Sequence, residues 1–294
     1  MDHPYLTRSP GEQTDNATGT MFWLRLRRNR AAMVGLTITA SLILVAVFAP
    51  QIAPYSPTVG SISEQLQGPS RVHFLGTDDL GRDIFSRIVY GSRITLQVGI
   101  LAVGIGLSIG VILGALAGFF GGKLDSFIMR IMDVMLSFPS ILLAIAMMAM
   151  LGPGLVNAMI AIGVIAIPNY ARLVRGPILA VKETEYVEAA KALGNPPGRI
   201  LFRHVLPNVF SPVIVQATLG VGSAILEAAA LGFLGLGAQR PQPEWGLMLA
   251  DGRAFLIAYP YVCTFPGLAI MLVVLGFNLF GDGLRDALDP RLKL

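Results

Sequence analysis

The chain has 294 residues, 54% of them hydrophobic and 14% charged, with a formal charge of +4. Ordinary soluble domains carry roughly a quarter charged residues, so this composition points into a bilayer. The 33 glycines and 19 prolines are scattered among long apolar runs, which excludes disordered, collagen-like and coiled-coil chains. A lone cysteine, Cys263, excludes an intramolecular disulfide framework and cysteine-rich metal sites, and the basic residues sit between apolar runs instead of forming a nucleic-acid face.

A hydrocarbon core of ~30 Å takes about 20 apolar helical residues, and charge-free runs of that size predict six spans. Residues 1–20 read as a flexible cytosolic lead. Residues 31–50 form the first span, expected as a retained anchor because its apolar core is too long for a signal peptide and a polar lead precedes it. Residues 58–70 read as an extracytoplasmic linker. The second span is 94–120. The 38 charge-free residues from 134 to 171 are too many for one crossing, and Gly152-Pro153-Gly154 folds them into a hairpin of spans three and four. The fifth span is 211–234, interrupted by Glu227, and the sixth is 258–280.

Cytoplasmic loops hold the excess of Lys and Arg. Five lie in 1–30, two are Lys123 and Arg130, six lie in 172–203 and three in the tail, against six on the other side: Arg71, Arg82, Arg87, Arg93, Arg240 and Arg253. Both termini are therefore expected inside. The chain divides into a cytoplasmic segment 1–30, an anchor helix 31–50, a periplasmic loop 51–91, a five-helix transmembrane domain 92–282 containing a cytoplasmic loop 172–207, and a cytoplasmic tail 283–294.

Within the spans, Gly106, Gly110, Gly114 and Gly118 recur every four residues on one helix face, where a second helix packs closely or a substrate path is lined. Pro139, Pro168, Pro212 and Pro266 fall in or at the edges of spans three to six and predict kinks. Ionisable groups in a span are costly and informative. Arg130 and Asp133, three apart at the cytoplasmic end of span three, are expected to pair with each other or to gate. Glu227 lies deeper, with no Lys or Arg in any span body to answer it. It is protonated, hydrogen-bonded to a neighbouring helix, or open to a water-filled cavity. Trp245, Tyr259 and Tyr261 are expected at the outer interface, and Cys263 as a small apolar filler.

The loop 172–207 is organised. After Gly176-Pro177, residues 178–193 have helical character, with Val187, Ala190 and Leu193 on one face and Lys182, Glu183, Glu185, Glu188 and Lys191 open to solvent. Gly194 stands where a left-handed C-cap belongs, and Asn195-Pro196-Pro197-Gly198 turns the chain into a second short helix, 199–206, ahead of Pro207. The expectation is a helix-turn-helix finger below the membrane, compact enough to carry motion between a soluble engine and the spans.

Glu188-Ala189-Ala190, then Gly194, His204 and Leu206-Pro207, resembles the EAA loop of binding-protein-dependent ABC importer permeases, with His204 where that pattern usually has an aliphatic residue. Three further segments resemble the C-type permeases of dipeptide importers, with oligopeptide, glutathione and nickel permeases as near relatives. They are His73 to Asp83 continuing to Arg93, Leu231 to Gln239 with Pro243-Glu244-Trp245-Gly246, and Asn278 to Pro290. The resemblance implies an all-α, six-helix type I importer permease in the bacterial inner membrane. It also implies that Glu188, Ala189, Ala190, Gly194, His204 and Pro207 couple to an ATPase. The implied partners are a homologous B-type permease in a heterodimer, two ATP-binding subunits that hold ATP and Mg, a periplasmic binding protein, and lipid; no nucleic acid is implied. The implied cargo is dipeptides or short peptides, and the implied mechanism is alternating access.

Residues 117–124 fail the phosphate-loop pattern, because Ala117 takes the first glycine position and Leu124 the place of the magnesium-binding hydroxyl, so the chain is not expected to hydrolyse ATP or to bind a cofactor itself. Asp78, Asp79 and Asp83 lack calcium-loop spacing and read as a solvated or hydrogen-bonded turn. His3, His73 and His204 lie outside the spans, which removes an intramembrane Ser/His hydrolase or two-histidine metal site. The alternative is an ion-coupled secondary transporter using Glu227 or Asp133 as coupling carboxylate, although no inverted repeat of broken helices is evident.

Overall fold

A computed structural model describes residues 23–288. The lead at 1–20 and the last six residues of the tail lie outside the described residues. Helices of eight residues or more are numbered α1 Arg30–Val47, α2 Ile84–Phe120, α3 Gly122–Leu136, α4 Ser140–Leu151, α5 Leu155–Val181, α6 Glu185–Ala192, α7 Phe210–Phe233, α8 Trp245–Gly252 and α9 Tyr261–Leu288. Among the described residues the chain is helical, and its one β feature is an isolated bridge between Thr77 and Asp83.

Five segments are long and apolar enough to cross a bilayer; a sixth span exists only if α3 and α4, bent by 93° at their junction, are taken as one. The third span is thus not the straight first arm of a hairpin. Pro139 causes the bend: it lacks the amide hydrogen that would continue α3 and stands as N-cap of α4. The break at Gly152-Pro153-Gly154 is where expected, between α4 and α5.

Helix α2 has 37 residues, or about 55 Å at 1.5 Å each, so it overshoots the hydrocarbon core. It begins ten residues before the apolar run, because the Asp83 carboxylate caps it by accepting from Ser86 N at 2.7 Å. The glycine stripe of α2 is a packing seam. A Cβ on Gly106 would stand 2.9 Å from the Gly163 carbonyl, and one on Gly110 would stand 2.8 Å from the Ile167 carbonyl, both on α5. Only glycine lets the two backbones approach so closely.

The anchor α1 lies along α9, with Gly35, Gly276 and Gly283 at the contact. Asn29 Nδ2 donates to Asp286 Oδ2 at 3.0 Å, tying the start of α1 to the end of α9. At the other end, Arg93 donates to the Ala46 and Val47 carbonyls at 2.5 and 3.0 Å, satisfying acceptors that the end of a helix leaves open.

The loop between α1 and α2 folds as a polar cap. Asp78, Arg82, Asp83 and Arg87 are all buried. Asp78 Oδ2 accepts from Arg82 Nε at 2.7 Å, Arg87 Nη1 donates to the Pro57 carbonyl at 2.8 Å, and His73 Nδ1 lies 2.9 Å from Asp83 Oδ1. The aspartates therefore form the hydrogen-bonded turn, not the solvated one. Trp245 is buried and donates Nε1–H to the Ile88 carbonyl at 3.2 Å, where α8 folds back against α2. Tyr259 stays exposed, with its ring edge-on to Tyr261. Cys263, half-buried beside Gly252, fills space as expected.

Candidate functional site

The finger between α5 and α7 begins later than the sequence indicates. Helix α5 runs unbroken through Gly176-Pro177 to Val181, and the chain breaks at Lys182 to Thr184 before α6. A proline deletes one backbone donor, but a helix packed among neighbours tolerates the loss. Here Arg175 clamps α5 to α3 through two hydrogen bonds of 2.6 Å to Asp125, and Gly118 of α2 backs Ile178. After α6, Gly194 adopts φ +75° and its amide donates to the Lys191 carbonyl at 2.9 Å, while Asn195 Nδ2 donates to the Ala190 carbonyl at 3.0 Å. The chain returns through a helical turn Pro197–Ile200, a π turn Leu201–Val205 and a 3₁₀ turn Leu206–Val209, which feed directly into α7.

One side of the finger is core. Val187, Ala190, Ile200, Leu201, Val205 and Val209 pack against Ala115, Val174 and Ile178 at the ends of α2 and α5. The other side is open. Leu193 was expected on the inner face with Val187 and Ala190, yet it is 83% exposed, because it is the C-cap residue of α6, where the helical path to the next inward position ends. Phe202 is 68% and Tyr186 46% exposed. Of the expected coupling residues, Glu188, Ala189, Gly194 and Pro207 are exposed, Ala190 is buried beneath them and His204 is half-buried. The Tyr186 hydroxyl and Asn208 Nδ2 both reach the His204 carbonyl, at 3.4 and 2.7 Å, and so lace the two limbs together.

The three intramembrane ionisable groups separate. Asp133 does not pair with Arg130; it accepts from Arg172 Nη2 on α5 at 2.5 Å. Helices α3 and α5 lie side by side and turn these groups toward one another, whereas Arg130 is exposed on α3. Glu227 lines a cavity of about 270 Å³ enclosed by α2, α4, α5 and α7 and the α3–α4 bend. Its polar wall is Ser140, Asn169, Tyr170, Gln216, Ser223 and Glu227. The sequence reading passed over Asn169 and Ser140. Each is a polar residue next to a proline inside an apolar run, and that was the available signal. A second cavity of about 320 Å³, with Arg285 and Leu288 in its wall, lies between α5, α7 and the end of α9 and shares only Gln216 with the first.

In the loop after α7, Glu244 caps α8 by accepting from Gly246 N at 2.8 Å and Leu247 N at 2.7 Å. Burial pushes its carboxyl from 4.5 up to about 7, and the two backbone donors only partly oppose the shift. Arg240 forks onto Asp251 of α8 at 2.7 to 3.1 Å, holding the loop after α7 against the same helix.

Comparison with known proteins places this architecture. Residues 110–294 match the family described as binding-protein-dependent transport system inner membrane component, and residues 19–69 match the N-terminal TM domain of oligopeptide transport permease C. The chain is 54% identical to the dipeptide transport system permease protein DppC of Alkalihalophilus pseudofirmus, over 99% of this chain and 97% of that one. It is 48% identical to the glutathione transport system permease protein GsiD of Pectobacterium atrosepticum, over 92% and 91% of the two chains. To the probable D,D-dipeptide transport system permease protein DdpC of Escherichia coli it is 45% identical, over 96% and 94%. A chain of the inward-facing MetNI methionine ABC transporter superposes with a TM-score of 0.58 at 24% identity, over 70% of this chain and 98% of that one, which shows a shared type I importer permease fold. The protein is a multi-pass membrane protein of the binding-protein-dependent transport system inner membrane component family, a permease subunit of an ABC importer and not an ion-coupled carrier.

Proposed function

We propose that this chain carries dipeptides or short peptides across the bacterial inner membrane by alternating access, driven by ATP that other subunits hydrolyse. The observation that carries the reading is the two-sided finger: its inner side is continuous with the packed ends of α2 and α5, and its outer side presents Tyr186, Leu193 and Phe202 beside Glu188, Ala189 and Gly194. A lever built this way passes displacement into the spans; a floppy loop would absorb it. Docking must differ in free energy between two states of the motor, since equal docking in both shifts nothing. Ala190, His204 and Pro207 belong with Glu188, Ala189 and Gly194 to the coupling finger, Glu227 belongs to the pathway, and Arg130 and Asp133, on α3 ahead of the bend, act in the pathway or its gating.

The partners of this reading are two ATP-binding subunits that hold ATP and Mg, a homologous B-type permease that completes the pathway, a periplasmic substrate-binding protein and the surrounding lipid. The failed phosphate loop at Ala117 and Leu124 supports placing hydrolysis on the partners. Both termini face the cytoplasm. The surplus of Lys and Arg on that side supports this, as does the Asn29–Asp286 hydrogen bond, which keeps the start of α1 and the end of α9 together. The division into 1–30, 31–50, 51–91, 92–282 and 283–294 goes with that orientation. Dipeptide and glutathione relatives, glutathione being itself a short peptide, favour peptide cargo.

The test is co-purification followed by function. The chain elutes with an ATP-binding subunit, and Glu188→Ala removes binding-protein-stimulated ATPase and peptide uptake while the variant still inserts in the membrane. Uptake at the wild-type rate in that variant contradicts the coupling assignment.

A further inference from the structure

The Glu227 cavity has a charge asymmetry. Six polar side chains converge in an otherwise apolar bundle, one of them is a carboxylate, and no Lys, Arg or His is among the described residues lining it. A carboxylate in a low-dielectric cavity wants a cationic, hydrogen-bond-donating partner, and the described residues lining this one supply none. A metal ion is a poor candidate, since no group of three His, Cys, Asp or Glu among the described residues is arranged to hold one. The cavity is large enough for a primary ammonium and its first side chain, and the Ser140 hydroxyl and Asn169 amide can accept the hydrogens that the carboxylate does not take.

We propose that Glu227, with Ser140 and Asn169, receives the protonated amino terminus of the cargo, so that this subunit reads the ammonium end of a peptide and leaves the carboxylate end to the partner permease or to water. This rests on the peptide reading above. Arg285 cannot serve the other end of the same dipeptide from within this chain. It stands in the second cavity, whose one shared residue, Gln216, is 11 residues before Glu227, about 16 Å along α7. The two charged ends of an extended dipeptide are only about 7 Å apart.

The experiment uses the complete importer in proteoliposomes with saturating binding protein and three cargoes: alanyl-alanine, its N-acetyl derivative and its C-terminal amide. Uptake ratios are compared between wild type and Glu227→Gln, so that the preference of the shared binding protein cancels. Wild type prefers the free amine over the N-acetyl form by about tenfold more than binding-protein affinities explain, the scale of one buried charge-assisted hydrogen bond. Glu227→Gln removes that excess and leaves the preference between acid and amide unchanged, while Glu227→Asp retains most of it. An unchanged N-acetyl preference in the Gln variant overturns the proposal, as does equal collapse of both preferences, which marks a structural role. If the Gln variant does not assemble, a wild-type N-acetyl preference no larger than that of the binding protein alone overturns it. Wild type that carries none of the three cargoes refutes the peptide reading instead.

Discussion

Gly194 and Glu244 each control a local structure through one physical term. At Gly194 the backbone is left-handed and nothing lies within 4 Å of where a Cβ would stand, so the cost of any other residue is conformational and not steric. Gly194→Ala is expected to cost about 1 kcal/mol and to loosen the α6 turn. Hydrogen exchange of the α6 amides should quicken in the variant, and unchanged protection would show that the turn does not depend on glycine. Its role was legible from the sequence, since a glycine after an amphipathic run ahead of Asn-Pro-Pro is a stop signal that works locally. Glu244 was not legible: its burial comes from α7 and α8 closing around it. Because its folded-state pKa is raised to about 7 from 4.5, the native state holds the proton more tightly, and the stability it contributes is present below pH 4.5 and lost as pH rises through about 7. The thermal midpoint of wild type should therefore fall relative to Glu244→Gln across that window. Parallel pH profiles for the two proteins would contradict the assignment.

Among the elements, the α2–α5 pair shows how far periodicity reaches. Four glycines at four-residue spacing announced a seam, and the structure supplied its partner, residues 163 to 178 of α5. Gly110→Leu drives a side chain into the Tyr170 Cβ and the Ile167 carbonyl, an overpacking expected to cost about 3 kcal/mol or more. A drop in the detergent-solubilised melting temperature and in recovery of the complex would be the sign, whereas a wild-type melting temperature would mean the seam can open. Helix breaks were less readable. Gly152-Pro153-Gly154 ends a helix and Gly176-Pro177 does not, although both look like stops, because α5 at Pro177 is held by the Arg175–Asp125 clamp and by Gly118. The clamp and the Asp133–Arg172 pair both depend on which helices become neighbours, and that information is not local in the chain.

At the scale of the whole molecule, composition and charge-free runs were enough for an all-helical membrane bundle, and the EAA pattern was enough for the finger. What they left out is the architecture at the two ends. At one end, Arg82, Arg87, Asp78 and Asp83 build a buried cap that a reader of hydropathy sees only as a polar loop. At the other end, the finger is not appended to the bundle but shares its core. That shared core is what makes a push on the finger a push on α2 and α5, and it is the basis for assigning the mechanical work to an external motor. The most direct measurement places a photocrosslinking residue at Leu193 or Phe202 in the assembled importer during ATP turnover. The account predicts adducts to the ATP-binding subunit whose yield changes between the nucleotide-bound and nucleotide-free states. Absence of any adduct to another polypeptide, in a complex that is transporting, would contradict it.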